Sequence, residues 1–323
     1  MMNIHKNQKE RNMYKKANKI LKNQNIDKDT VFLDIETTGF SAEKDRIIGF
    51  SLCKYYGENC GMLYQNFFAD EKILISEFFN LILGKEKIIT FSGENFEKKF
   101  IRFKLAKYKD QSKEFEKFSE LFDQMIFTDL QEQCRCFAKY FDFKNFSRAE
   151  IEKNLNLQKS ELYDMKKIIS SVRKKDDEEI KSKLISHSYE EIITMIGIYD
   201  KLNEFKNNHR IKLDENMSNI DISFILEKYQ VENEKLTLIF TGSQKYKLAC
   251  YSLQNGDSLR LKNDYMEMSV YLSNISYNEK TALVYELEDG YLPLIISGDI
   301  IYENIAYLLQ KYKQHLIPAS AKQ

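Results

Sequence analysis

Three features of the sequence predict an α/β fold. Short β-prone runs alternate with helical stretches over residues 31–206, an acidic pair closes the first of those runs, and closely spaced short strands take over after about residue 214. The architecture they imply is a mixed five-stranded sheet flanked by helices, followed by a smaller β-rich C-terminal domain. A chain of 323 residues has room for two domains and for a core without disulfide or metal staples. Hydrophobic residues at 43% and charged residues at 30%, with only 2 prolines and 11 glycines, exclude collagen-like and low-complexity segments. The 49 basic residues balance 49 acidic ones, so a nucleic-acid site has to be a local patch rather than a global field.

Residues 1–30 carry an excess of Lys over acids, with Ile20 and Leu21 as the main apolar anchors, and read as a basic, partly exposed helical segment. Val31–Leu33 open an apolar strand that runs into Asp34-Ile35-Glu36-Thr37-Thr38-Gly39. Ile47–Leu52 and Gly61–Tyr64 follow as two more short strands, which suggests an antiparallel meander. Ile73, Leu74, Ile75, Phe78, Phe79, Leu81 and Ile82 fall at helical spacing, with Gly84 placed as the helix stop.

Ile88–Phe91 is a fourth strand, and Ser92-Gly93-Glu94 turns it into a helix carrying Phe96, Phe100, Ile101 and Leu105. Met125–Thr128 is the fifth strand, and Asp129 caps the next helix. From there to about Lys206 the pattern is helical, and strands joined through helices run parallel. Past the boundary at 210–230, strands are expected at 236–241, 246–253, 258–262, 266–272, 281–287 and 291–296, closed by a helix over 299–314. The domains are therefore 1–30, 31–210 and 215–323.

Five scattered cysteines and four histidines show no zinc-knuckle spacing and read as thiols of a reducing cytosol. The polar start Met1–Lys6 lacks the apolar core of a signal peptide. No run reaches the ~18 apolar residues of a membrane span. The expected location is the cytoplasm, with no membrane partner.

The chemistry concentrates at Asp34 and Glu36. Residues two apart on a strand face the same side, so both carboxylates project together while Ile35 points to the opposite layer. Two such acids repel unless a cation lies between them. The Thr37-Thr38-Gly39 turn supplies hydroxyls and backbone N–H groups suited to a nucleotide. Glu97 opens the helix after the fourth strand, and a parallel placement of that strand beside the first brings it near Asp34 and Glu36. His187 and Glu191, four apart, share one helical face. A surface acid pair, a helix-start acid and a surface ion pair are the plain alternatives for these three elements.

Val31–Gly39 resembles the first motif of the DEDD 3′–5′ exonucleases, a superfamily with a ribonuclease H-like fold. Thr90–Glu97 is similar to their second motif, and His187-Ser188-Tyr189-Glu190-Glu191 to the third motif of the bacterial ribonuclease H-like branch of uncharacterised exonucleases. The resemblance covers about residues 28–206. It implies a metal-dependent 3′–5′ exonuclease that hydrolyses phosphodiester bonds at a DNA or RNA 3′ end with two Mg²⁺ or Mn²⁺ ions. Asp34, Glu36, Glu97 and Glu191 would hold the ions, and His187 would orient or deprotonate the attacking water. Phe40 would stack on the terminal base or, in the plain alternative, belong to the core, and Lys98, Lys99, Arg102 and Lys104 would meet the phosphates or, equally, form a solvated helix face. The sequence departs from the family at Glu97 and Glu191, where the family has aspartates, and at Ser92, where the family has an asparagine that gives an orienting hydrogen bond. Each glutamate sets its carboxylate one methylene further out. Three other readings compete: an inactive nucleic-acid-binding relative, a scaffold holding a protein partner through the C-terminal domain, and a ribonuclease H cutting internally.

Overall fold

The computed structural model describes residues 15–24, 26–93, 96–157, 168–169, 178–213, 222–277 and 280–316. Within the basic amino-terminal segment, Lys15–Lys22 form a strand, β1, and not the expected helix; residues 1–14 lie outside the described residues. β1 pairs antiparallel with Cys60–Phe67, placing Lys19 opposite Leu63 and Leu21 opposite Gly61. The reason is physical. That strand would otherwise leave a row of amides and carbonyls without sheet partners, and a lysine-rich segment is a suitable edge because its charges discourage further pairing.

The remaining elements of the first sheet follow the expected order. They are β2 (Thr30–Thr37), β3 (Ile47–Gly57), β4 (Cys60–Phe67), α1 (Glu71–Ile82), β5 (Lys87–Thr90), α2 (Glu97–Tyr108), α3 (Lys113–Gln124) and β6 (Ile126–Asp129). Strand order is β1-β4-β3-β2-β5-β6. The meander β2–β3–β4 is antiparallel, whereas β5 joins β2 in parallel with Val31 opposite Ile88, and β6 joins β5 in parallel. This is the mixed ribonuclease H-like sheet with β1 added as a sixth strand.

Asp70 caps α1 by accepting from the Lys72 amide at 2.9 Å, and Gly84 follows the helix at φ +73°. Helices α4 (Leu130–Cys136), α5 (Ala138–Phe141), α6 (Arg148–Asn154) and α7 (Glu178–Asn208) occupy the stretch that reads as helical throughout. Val31, Leu33 and Ile35 pack into one core with Phe78, Phe79, Phe100 and Phe122, where Phe79 stacks on Phe118 at 4.6 Å. The alternate residues of β2 face α7, where Phe32 meets the Tyr199 ring edge-on at 5.4 Å. Among the described residues no helix is long and apolar enough to cross a membrane.

The chain divides into two compact units, residues 1–135 with 141–201, and residues 136–140 with 202–323. In the second, β7 (Ile211–Lys212), β8 (Ser223–Glu232), β9 (Lys235–Ser252) and β10 (Ser258–Tyr271) form one antiparallel sheet in the order β10-β9-β8-β7. A second sheet contains β11 (Ser273–Tyr277), β12 (Lys280–Leu287), β13 (Gly290–Ile296) and β14 (Asp299–Ile300). Four expected strands are two long ones. Leu261 and Tyr265 flank register shifts around Asn263, whose φ is +55°, so a bulge reads in the sequence as a turn. The last helix begins at Tyr302, not Asp299, because Asp299 and Ile300 still pair with β13; it comprises α8 (Tyr302–Lys311) and the short α9 (Lys313–Leu316).

Candidate active site

The acid-bearing strand is held on both sides. Asp34 lies opposite Ser51 and Glu36 opposite Gly49, after which the register slips so that Thr37 faces Ile47. The slip ends the ladder beside the two carboxylates, a common use of a bulge. Ile35 is buried in the core on the opposite face, as the alternation requires.

Parallel pairing of β5 with β2 carries the chain from Thr90 to Glu97, the first residue of α2. Glu94 and Asn95 lie outside the described residues. Ser92 sits at φ +65°, and its amide donates to Asp129 Oδ1 at 2.9 Å. The same oxygen accepts from the Gln131 amide at 2.9 Å, so Asp129 caps α4 and fixes the turn at once. Gly93 is packed so closely that an added Cβ would lie 2.0 Å from Thr90 Oγ1 and 2.9 Å from Glu97 Oε2. Gly93→Ala is therefore expected to cost about 1–3 kcal/mol by overpacking, read as a lower urea midpoint at unchanged slope.

Glu36 and Glu97 are buried at 6% and 5% exposure. Burial is the main reason that Asp34 is pushed up to about 6, partly offset by a hydrogen bond from Ser188 and by the charge of Arg148. Glu36 is raised well above the usual carboxylate range by burial, then by Asp34 and Glu97. Glu97 is raised likewise, by burial first and then by Asp34. Its Oε2 is buried with no hydrogen-bond partner among the described residues. An arrangement of this kind holds protons that a cation would displace.

The third element comes from α7. Ser188 Oγ donates to Asp34 Oδ2 and lies 2.8 Å from Ser51 Oγ, which in turn accepts from Gln65 Nε2 at 2.9 Å. One turn along the helix, His187 Nε2 stands 3.3 Å from Glu191 Oε1. The Arg148 guanidinium pairs with that same Glu191 oxygen, and its Nε lies 3.3 Å from Glu152 Oε1. Thr194 Oγ1 donates to Glu152 Oε1 at 3.1 Å. Burial, followed by the charge of Arg148, lowers the His187 imidazole to about 4.

Sequence reasoning missed Ser188, Ser51, Gln65, Arg148 and Glu152. Ser51 becomes visible only once the β2–β3 register is known. Arg148 and Glu152 lie outside all three motifs and carry no local signal.

The threonine turn is bonded within itself. Thr37 Oγ1 donates to the Gly39 carbonyl at 2.6 Å, and Thr38 Oγ1 donates to Asp45 Oδ1 at 3.2 Å. Gly39 lies against the Asp45 carboxylate, which also accepts from the Ser41 amide at 3.0 Å. Phe40 beyond it is 80% exposed and edge-on to Phe96 at 6.2 Å.

Lys98 lies over the Phe127 ring, Lys99 is exposed, and Arg102 forms an exposed ion pair with Asp123 at 3.1 Å. Lys104 is not on that face. At 1% exposure its ammonium bonds the Asp45 carbonyl and stands 3.3 Å from Glu71 Oε1. Glu71 also accepts from the Ile47 amide at 2.7 Å and the Tyr108 hydroxyl at 2.5 Å. The apolar stripe of α2 takes Lys104 inward, and the buried carboxylate neutralises it.

Among the described residues, no three His, Cys, Asp or Glu side chains stand gathered as a ready metal-holding group. The donor chemistry nevertheless fits a hard divalent cation. Asp34, Glu36 and Glu97 offer only oxygen ligands, the charge of Asp34 raises the proton affinity of the other two, and one buried oxygen has no partner among the described residues. Glu191 is engaged by Arg148 and His187.

A family model described as the RNase_H superfamily matches residues 31–203. No curated protein matches. Among the solved structures that resemble the chain are two nucleic-acid enzymes. The family B DNA polymerase of the hyperthermophilic archaeon Pyrobaculum calidifontis is 11% identical, with a TM-score of 0.42 over 56% of this chain and 25% of its own. The zinc-bound E. coli ExoI–ssDNA complex is 12% identical, with a TM-score of 0.33 over 66% of this chain and 54% of its own. The chain thus spans about a quarter and about half of these two proteins.

Proposed function

The chain belongs to the RNase_H superfamily, and from that premise we propose that it is a metal-dependent exonuclease removing nucleotides from the 3′ end of nucleic acid. The observation that carries this reading is the set of acids Asp34, Glu36 and Glu97: each is held above the usual carboxylate range chiefly by loss of solvent, the charge of Asp34 raises the other two further, and Glu97 Oε2 has no hydrogen-bond partner among the described residues. Asp34, Glu36, Glu97 and Glu191 would hold two Mg²⁺ or Mn²⁺ ions. Such ions supply charge neutralisation at the phosphoryl group and a water acidic enough to react near neutral pH.

The protein's own residues do the rest. Ser188 fixes the Asp34 carboxylate from the α7 side and leaves its other oxygen for a ligand. His187 is neutral across the physiological range, and an imidazole with so depressed a pKa is a weak base, so it orients the attacking water by a hydrogen bond. Phe40 offers an exposed ring for the terminal base, and Lys98 and Arg102 on α2 would meet the phosphates.

The test is digestion of 5′-labelled DNA and RNA oligonucleotides with Mg²⁺ or Mn²⁺, comparing the wild type with Asp34→Ala. A ladder shortening from the 3′ side in the wild type alone supports the proposal; identical digestion by both proteins defeats it. The engagement of Glu191 by Arg148 favours one second reading, a nucleic-acid-binding relative without turnover. Metal-dependent retention of the oligonucleotide with no shortening would select it. Cytoplasmic location and a protein partner for residues 215–323 are further proposals, which rest on the sequence.

A further inference from the structure

Among the described residues, Asp34, Glu36 and Glu97 form no ion pair within 4.0 Å. Glu191 has Arg148, which begins α6 and is itself largely buried at 16% side-chain exposure. Arg148 does not belong to Glu191 alone. Its Nε is 3.3 Å from Glu152, a residue at 2% exposure, and the Glu152 oxygen it faces also accepts from Thr194. Asp34 and Glu190 lie close enough to add to the favourable field around the guanidinium. A planar guanidinium can serve two carboxylates at once, which a lysine ammonium on a single point of charge does poorly.

We propose that Arg148 is the built-in counter-ion of the site: it occupies Glu191 in the metal-free protein and withdraws onto Glu152 when a divalent cation takes Glu191. The proposal rests on the reading of Glu191 as a metal ligand. The geometry gives Arg148 two anchors of unequal kind. Glu152 is buried and tied to Thr194, so that partner stays where it is, whereas Glu191 is the partner it shares with the site. A cation arriving at Glu191 must displace a positive charge already there. Metal affinity is thereby reduced by the free energy of the Arg148–Glu191 contact, and binding of the two cations to one carboxylate is mutually exclusive. Withdrawal onto Glu152 keeps the arginine paired, which makes the exchange possible without leaving a buried charge uncompensated.

The test is calorimetric titration of the full chain with Mn²⁺ alone, without nucleic acid. Arg148→Met combined with Glu152→Gln removes the competitor and its anchor together, taking out one charge of each sign. It is expected to tighten the weaker Mn²⁺ site about tenfold, or about 1.4 kcal/mol. Glu152→Gln alone removes the retreat and keeps Arg148 on Glu191; it is expected to weaken the same site about threefold. Unchanged or weaker binding by the double variant overturns the proposal. If the double variant does not fold, Glu152→Gln decides alone, and unchanged or tighter binding overturns it.

Glu191→Gln is titrated in parallel and is expected to lose one Mn²⁺ site. Wild-type binding by that variant sinks the metal-ligand reading of Glu191, and this proposal with it. Loss of the site in Glu191→Gln with no tightening in the double variant sinks the role of Arg148 alone.

Discussion

Asparagine in place of Asp34 is expected to slow 3′-end hydrolysis by about a thousandfold or more, which is about 4 kcal/mol of transition-state stabilisation. The substitution is nearly isosteric, and the amide oxygen can still accept from Ser188, so the side chain keeps its place between β3 and α7. What it loses is charge. Glu36 and Glu97 both feel Asp34, so this residue is the electrostatic link among the three acids, and its neutralisation weakens any cation held by the other two. Single-turnover digestion of a 5′-labelled oligonucleotide, with saturating Mn²⁺ in both proteins, measures the effect. Retention of more than a tenth of the wild-type rate would remove Asp34 from the mechanism.

The metal-free wild type is expected to lose stability as pH rises from about 4 to 6 and beyond. Asp34 has an ordinary value of 3.8 and titrates at about 6 in the folded chain. Between those values the folded state binds more protons than the unfolded one, so stability falls as pH increases, and the penalty is complete above the folded value. At 1.36 kcal/mol for each pH unit of difference, this residue accounts for up to about 3 kcal/mol. Glu36 and Glu97, displaced in the same direction, extend the loss to higher pH.

Urea midpoints in the presence of EDTA between pH 4.5 and 8 measure this slope. Asp34→Asn should flatten it and, at pH 8, unfold at higher urea than the wild type. Millimolar Mg²⁺ should restore the wild type at pH 8 and have little effect on the variant. A wild-type midpoint that climbs over this interval contradicts the account.

The two predictions concern one trade. Under the proposed function, the carboxylate needed for hydrolysis is the one that makes the metal-free protein less stable, a conflict typical of functional clusters.

Much of this was legible in the chain. Period-two alternation in Val31–Glu36 put Ile35 in one layer and both acids in the other, and the structure agrees because the core of Leu33 and Ile35 leaves no other register. The approach of Glu97 depended on β5 lying parallel beside β2, which a helix-connected strand favours and the pairing bears out. What escaped was whatever depends on distant partners. Lys15–Lys22 carries no strand pattern of its own and is ordered by the open edge of β4. Lys104 looks like one more surface lysine until Glu71, 33 positions earlier, folds against it. Arg148 meets Glu191 across a stretch that no periodicity connects. The bulged strands β9 and β10 read as four strands because Asn263 interrupts them locally while the sheet carries on.

The clamp at Glu71 has a dynamic consequence. Its carboxylate takes the Ile47 amide on one side and Lys104 and Tyr108 on the other, while Lys104 also grips the carbonyl of Asp45. The connection between β2 and β3 therefore cannot breathe by itself, since lifting it exposes a buried ammonium and a buried carboxylate together. The Ile47 amide that Glu71 holds belongs with those released only when the whole first sheet opens, not with the fast-exchanging set typical of surface loops. A loop so anchored presents Phe40 to solvent on a rigid mount, and whatever docks there meets a surface already in its final shape, with little entropy left to lose.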